Sequence, residues 1–304
     1  MTEPLYVDES SLKDVRVLGR GTYGSVSLKV HPDNCRFYAK KTSSVQLKEH
    51  LEKELRIMLR LRNHPRIVQA SSPHLHLGTT EPQDCYIYME YASEGTLRKT
   101  ISSFRGKSLP EYMIQRLVRM ILQGLDALHS QGYVHCDLKP ENVLLFPSTN
   151  PGEPWDVKLA DFGLSKEPNT DPSHLCGTPQ YMSPESSGPN RMIDPALDIY
   201  SLGCVVYEMF GAKPYLEIYE DYYEWNLFQP ISPAAKDFLI RCHARHPVHR
   251  AEAERFNYPL RATAAELLKH PFVTQKLSVP LPPTSQQEDW RQGTKTSSVT
   301  KAAV

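Results

Sequence analysis

Tyr133-Val134-His135-Cys136-Asp137-Leu138-Lys139-Pro140-Glu141-Asn142-Val143-Leu144-Leu145, followed after a short hairpin by Asp161-Phe162-Gly163, is the stretch that decides the fold of this chain. It sets a carboxylate, an ammonium, an amide and a second carboxylate in fixed order. Phosphoryl transfer asks for such a set. It needs little covalent chemistry from a protein, but it does need metal ligands, positive charge and a carboxylate aligned on the attacking hydroxyl. Asp137 can accept that proton, Lys139 can neutralise the transferring group, and Asn142 with Asp161 can hold Mg2+ through oxygen.

Upstream, residues 15–41 alternate with period two: Val15 with Val17, then Val26, Leu28 and Val30, then Phe37, Ala39 and Lys41. Glycines and Pro32-Asp33-Asn34 separate the runs, which predicts three antiparallel strands. The first turn reads Gly19-Arg20-Gly21-Thr22-Tyr23-Gly24. Glycines so spaced let a backbone approach phosphates, and the same spacing opens dinucleotide-binding folds. Those folds require a helix immediately after the glycines. Here an alternating strand follows, which favours a hairpin over a nucleotide with Val26 on the base. Lys40 and Lys41 compete as phosphate ligands. Lys41 shares the face of Ala39 and Phe37, and it lies 22 residues after Gly19 and 15 after Val26, as in a strand Val-Ala-Ile-Lys motif. A helix is expected over 45–61 from Leu47, Leu51, Leu55 and Met58. On it Glu54 faces the apolar side and can pair with Lys41, while Glu49 and Glu52 face water. Another strand is expected over 86–91.

Downstream, Ile114, Leu117, Val118, Ile121, Leu122, Leu125 and Leu128 form a broad helical stripe. Short strands are expected at 143–146 and 157–160, and helices at 197–210, 233–242 and 263–269. This predicts a strand-rich N-lobe (12–91), a hinge (90–95) and a helical C-lobe (96–273), an α+β bilobal arrangement. Residues 1–11 form an N-terminal segment, and 274–304 a polar, flexible tail.

The chain has 304 residues, 35 Lys and Arg against 35 Asp and Glu, 40% hydrophobic and 23% charged residues. That balance excludes a bulk polyanion binder and a wholly disordered chain. The six scattered cysteines fit reduced thiols, and no apolar run approaches the ~18 residues of a membrane span. The N-terminus does not read as a secretory signal and the C-terminus carries no lipidation box. No separate regulatory or targeting domain is expected, and the expectation is a cytoplasmic monomer, with a nuclear pool besides, that has no nucleic-acid partner and no membrane insertion.

From about Val15 to Val273 the chain resembles eukaryotic protein kinases. Lys139-Pro140-Glu141-Asn142 and Gly177-Thr178-Pro179-Gln180-Tyr181-Met182-Ser183-Pro184-Glu185 resemble serine/threonine kinases. Asp198-Ile199-Tyr200-Ser201-Leu202-Gly203 and Arg261-Ala262-Thr263 through His270-Pro271-Phe272 are further matches. Glu54 to Leu61 with His64-Pro65-Arg66-Ile67-Val68, together with Gly177-Thr178-Pro179, is similar to mitogen-activated protein (MAP) kinase kinase kinases, plant members especially. The resemblance implies the bilobal protein kinase fold, with ATP and Mg2+ between the lobes. It implies protein substrates, a MAP kinase kinase among them. It also implies catalytic roles for Lys41, Glu54, Asp137 and Lys139, and metal ligands at Asn142 and Asp161. Nucleotide contacts would come from Gly19, Gly21, Gly24, Val26, Ala39, Lys41 and Leu144, with Met89 as gatekeeper and Glu90 and Ala92 as hinge. Glu185 would pair with Arg261, and Asp198 would anchor the catalytic loop.

Some positions depart from that pattern. Cys136 stands where most kinases carry Arg, so reduced dependence on phosphorylation at Thr170, Ser173 or Thr178 is expected. Thr178 can also bond Asp137 and Lys139 without a phosphate. Asp137 and Asp161 are 24 apart. The excess falls in Pro147 to Trp155, a tolerated surface extension, since loop closure costs only ~0.6 kcal/mol per doubling. For Lys213 to Ile231, buried helix packing is expected over an aromatic docking surface. For Cys242 to Arg250, a solvated basic loop is expected over a zinc site. Two other functions compete with an active kinase: a pseudokinase scaffold, against which Lys41, Asp137, Asn142 and Asp161 are all retained, and a nicotinamide-dependent oxidoreductase, which leaves residues 135–163 unexplained.

Overall fold

A computed structural model describes residues 11–21, 23–78, 83–148, 150, 154–167, 177–186, 192–212, 230–244 and 260–275. Residues 1–10, Thr170, Ser173, residues 213–229, His246, His249, residues 149 and 151–153 of the Pro147–Trp155 turn and the tail beyond 275 lie outside these residues.

The N-terminal half is a five-stranded antiparallel sheet of order β1-β2-β3-β5-β4, built from β1 (Lys13–Gly21), β2 (Gly24–Val30), β3 (Phe37–Ser44), β4 (His76–Leu77) and β5 (Asp84–Glu90). Among the first three strands burial is confined to β2 (Leu28, Lys29) and β3 (Tyr38, Ala39, Ser43), whereas β1 is exposed apart from half-buried Leu18, so the alternation expected of Val15 and Val17 buries neither. Register places Val26 opposite Lys41 and Ala39 opposite Met89, so the expected nucleotide-facing residues fall side by side. A single turn of 3-10 helix, Val45–Leu47, leads into α1 (Lys48–Arg60). The expected helix therefore begins in the tighter form. Its buried side is Leu51, Glu54, Leu55, Ile57 and Met58, one carboxylate among apolar groups.

The C-terminal half is helical, with a small sheet β6 (Gly95–Thr96), β7 (Val143–Pro147) and β8 (Trp155–Leu159) at its upper edge. Its helices are α2 (Leu97–Ser103), α3 (Glu111–Ser130), α4 (Ala196–Met209), α5 (Pro233–His243), α6 (Ala264–Leu267) and α7 (Pro271–Thr274). The α3 stripe from Ile114 to Leu128 is buried as its spacing requires, whereas α4 is buried on nearly every side and forms the centre of this half. Of the helix expected over 263–269, only Ala264–Leu267 forms. Thr263 and Glu266 close a capping box at its start, and Pro271, which lacks an N–H, opens a separate helix. One contiguous apolar cluster joins the halves, running from Ala39 and Ile87 through Leu55 and Met58 to Leu125 and Phe162. Among the described residues no helix is long and apolar enough to cross a membrane.

Candidate active site

Strand β3 settles the choice between the two lysines. Lys41 Nζ lies 2.5 Å from Glu54 Oε2 and 2.8 Å from Asp161 Oδ1. Lys40 points to the opposite face, its ammonium 3.6 Å from the centre of the Tyr86 ring. Burial works against the charge on Lys41, but the Glu54 and Asp161 carboxylates outweigh it and raise the ammonium above its ordinary value. Burial dominates at Glu54 and lifts its carboxyl to about 6 despite the neighbouring lysine. At Asp161 burial also works upward, but Lys41, with His135 and Lys139 beyond it, holds the carboxyl below its ordinary value.

The loop before β7 is held from below by α4. Asp198 sits fully buried at the first turn of that helix, where a carboxylate suits the helix dipole. It accepts the His135 amide at 2.7 Å, the Cys136 amide at 2.9 Å and the His129 imidazole at 2.8 Å. The backbone then turns left-handed at Cys136, with φ of 65°. That conformation is costly for a residue with a Cβ, and the Asp198 bonds hold it in place. Asp137 follows, and both its carboxylate oxygens are engaged. Oδ2 accepts Lys139 Nζ at 2.7 Å and Asn142 Nδ2 at 3.2 Å. Oδ1 accepts the Thr178 hydroxyl at 2.7 Å and its amide at 3.0 Å. Lys139 also reaches the Thr178 hydroxyl at 2.8 Å, so Thr178 bridges this pair with no phosphate on it.

Asn142 turns its amide nitrogen to Asp137, including the Asp137 carbonyl at 2.8 Å, which leaves Oδ1 as its cation-ligating atom. Asp161 also has a left-handed φ, 66°. Its turn is fixed by His135, whose Nε2 lies 3.1 Å from the Ala160 carbonyl, and by Phe162, which is fully buried against the His135 ring. Above the site, Gly24 is required by close approach, because a Cβ there would lie 2.0 Å from the Thr42 carbonyl oxygen. At Gly19 and Gly21 a Cβ would meet no protein atom within 4 Å, so both sit exposed with open space beside their backbone. Val26, Ala39, Met89 and Leu144 belong to the joined apolar cluster and give the cleft its greasy wall. The hinge is pinned: Glu90 accepts Lys158 Nζ at 2.7 Å and the Gln69 amide at 2.8 Å, while the Ala92 carbonyl accepts Gly95 N at 3.2 Å. Two hard oxygen donors, an ammonium, open glycine backbone and an apolar slot fit a nucleoside triphosphate with a divalent cation.

Several participants are not evident from the sequence. Leu18 joins the cleft wall beside Val26. Arg98 on α2 bonds Glu141 at 2.6 Å, Tyr181 Oη at 2.5 Å and Glu208 on α4, tying the loop that carries Asp137 to the 3-10 turn Pro179–Tyr181 and to α4. These residues are far apart in sequence and share no period. Only the placement of Glu141 inside the Lys-Pro-Glu-Asn run hints at such a role. Arg261 bonds Glu185 and the Ala244 carbonyl. Cys242 and His243 correct the expectation of a solvated loop. Cys242 is buried, and the His243 ring packs between Tyr200 and Tyr207 with centroids at 4.9 and 5.3 Å. Among the described residues no group of His, Cys, Asp and Glu has the arrangement of a metal site.

Comparison with known proteins agrees with this geometry. The family described as "Protein kinase domain" matches residues 12–273. The chain is 30% identical to serine/threonine-protein kinase 17A of Oryctolagus cuniculus, over 90% of this chain and 68% of that protein. It is 30% identical to mitogen-activated protein kinase kinase kinase 20 of Arabidopsis thaliana, over 84% of this chain and 76% of that protein. It is 31% identical to mitogen-activated protein kinase kinase kinase 5 of the same plant, over 93% of this chain but 40% of that protein.

Proposed function

The chain belongs to the protein kinase domain family as a serine/threonine kinase, and from that premise we propose that it phosphorylates a MAP kinase kinase, using MgATP. The observation that supports phosphotransfer is the convergence on one cleft of Lys41, Glu54, Asp137, Lys139, Asn142 and Asp161, from β3, α1, the loop before β7 and the turn after β8, and the choice of a MAP kinase kinase rests on the likeness to MAP kinase kinase kinases.

The residues act through position and charge. Glu54 holds Lys41 over the cleft, where its ammonium meets phosphate oxygens. Gly19 and Gly21 give backbone N–H groups close access to the same oxygens. Asn142 Oδ1 and the Asp161 carboxylate would hold magnesium, which when bound neutralises charge on the phosphates. Asp137 has about four lone-pair directions, all of them engaged, so a substrate hydroxyl would displace one of the Thr178 donors from Oδ1 while Lys139 stays on Oδ2. Lys139 lies beside it, where charge on the transferring group develops. Thr178 aligns both. Retention of all these groups in bonded geometry disfavours a scaffold without turnover.

The test is phosphate incorporation from MgATP into a panel of protein substrates that includes MAP kinase kinases, comparing wild type with Asp161→Asn. Wild-type turnover on a MAP kinase kinase, abolished in Asp161→Asn, is expected. Equal, negligible incorporation by both would defeat the reading, and turnover confined to unrelated proteins would defeat the choice of substrate.

A further inference from the structure

One side chain outside this constellation, on the helix that carries Glu54, touches two further parts of the cleft. His50 lies on α1 one turn before Glu54, so the two share a helix face. Its Nδ1 is 3.0 Å from the Gly163 carbonyl oxygen. A carbonyl only accepts, so Nδ1 carries the proton and donates it. The imidazole also meets the Tyr23 ring at the tip of the glycine-rich hairpin, with centroids 5.3 Å apart and planes inclined by 45°. The helix backbone is close as well. A Cβ built on Gly163 would stand 3.6 Å from His50 Cβ and 3.7 Å from the His50 carbonyl oxygen. Lys53 approaches the same carbonyl at 3.5 Å, too long to replace the histidine.

Helix α1 thus grips the Asp161-Phe162-Gly163 turn at both ends. Glu54 holds the first end through Lys41, and His50 holds the last directly. Asp161 is left-handed, so its carboxylate direction depends on how the following peptides are fixed. Phe162 anchors the middle of the turn by burial, its carbonyl accepts the Ser165 amide at 3.0 Å, and the hydrogen bond from His50 is the shorter of the two side-chain contacts on the Gly163 carbonyl.

We propose that His50 is a positioning residue that aims the Asp161 carboxylate through Gly163 and couples that turn to the tip of the glycine-rich hairpin through Tyr23. This deepens the phosphotransferase reading and rests on it. The donor at Nδ1 is the functional element, and the ring against Tyr23 is secondary.

Three variants separate these roles. His50→Asn keeps a donor at the δ position and loses the ring. His50→Phe keeps a ring against Tyr23 and loses the donor. His50→Leu loses both. Two readouts apply: kcat and KM for ATP on a generic substrate, and the thermal shift produced by ADP with and without magnesium. His50→Phe and His50→Leu should lower kcat about tenfold with KM for ATP changed less than about threefold, and His50→Asn should stay within about threefold of wild type. In the thermal shift, ADP alone should stabilise every form. The added increment from magnesium should be present in wild type and His50→Asn and lost in His50→Phe. His50→Asn as impaired as His50→Leu would overturn the proposal, as would a His50→Phe protein with wild-type kcat and magnesium increment. A wild type without turnover would defeat the phosphotransferase reading alone, because the magnesium increment still tests His50. A wild type lacking that increment would defeat both.

Discussion

Cys136 donates its backbone amide to Asp198 Oδ1 at 2.9 Å while holding a left-handed φ of 65°. The loop that carries Asp137 is therefore bent by a buried carboxylate from another helix, and its side chains alone do not explain its shape. Asp198 accepts three donors and supplies none. In Asp198→Asn an amide nitrogen must face one of those donors, which is repulsive. Hydrogen bonds to charged groups contribute about 1.5–3 kcal/mol each, so urea denaturation should show a loss of about 2–4 kcal/mol. Displacement of Asp137 should lower kcat about 100-fold. A variant with wild-type kcat and midpoint would show that the loop holds its bend unaided.

The second prediction concerns the activation segment. Burial, with the Asp198 carboxylate, pushes the Cys136 thiol well above its ordinary value against the opposing charges of Lys166 and Lys53, so it stays neutral and offers no charge to a phosphate. Thr178 already bridges Asp137 and Lys139 through its hydroxyl. Thr170→Ala and Ser173→Ala should each change kcat less than about threefold. Thr178→Ala should lower it about tenfold or more, and Thr178→Ser should retain it, because the hydroxyl is the bridging group. Steady-state phosphorylation of a generic substrate measures all four. Near-complete loss at Thr170 or Ser173 would mean that the lysines replace the missing arginine.

Period and spacing carried much of this molecule. The choice of Lys41 over Lys40 followed from strand alternation, and Glu54 followed from the apolar stripe of α1, because both signals are local. The α3 stripe was legible for the same reason. Strands β4 and β6 have two residues each, too few to show alternation, and α2 has only Leu97 fully buried, too little for a stripe. The Arg98–Glu208–Tyr181 cluster joins residues up to 110 positions apart, and His50 lies 113 positions from Gly163, so no window of sequence contains either pair. Such contacts become visible only once the helices are packed.

Glu54 yields a pH prediction for activity. Its buried carboxyl titrates at about 6, and protonation removes the charge that holds Lys41. The rate should therefore fall on the acid side with an apparent pKa near 6. Glu54→Gln should be slower at neutral pH and lack that limb, since its amide does not titrate in this range. A profile for Glu54→Gln that keeps the wild-type acid limb would assign the limb to another group.

His243 yields one for stability. Burial depresses its imidazole to about 4, with the Arg261 charge adding to the effect and the hydrogen bond to the Leu239 carbonyl at 2.9 Å opposing it. Its Nε2 faces Cys204 Sγ at 3.8 Å, and Tyr200 and Tyr207 cover its faces. The neutral ring is the folded form. Because the unfolded imidazole binds its proton near the ordinary value of 6.5, the unfolded state holds more protons between that pH and about 4. Stability from this residue is complete above 6.5 and declines as pH falls through that window. The decline is on the order of 2 kcal/mol for a part-buried ring. Glu54 acts in the opposite direction, since its raised carboxyl binds more protons in the folded state between about 4.5 and 6. The difference between wild type and His243→Phe at each pH cancels that contribution. Urea midpoints from pH 7 to pH 4.5 should show the variant losing stability less steeply than wild type. Parallel curves would mean that the His243 ring is protonated in the folded state at little cost.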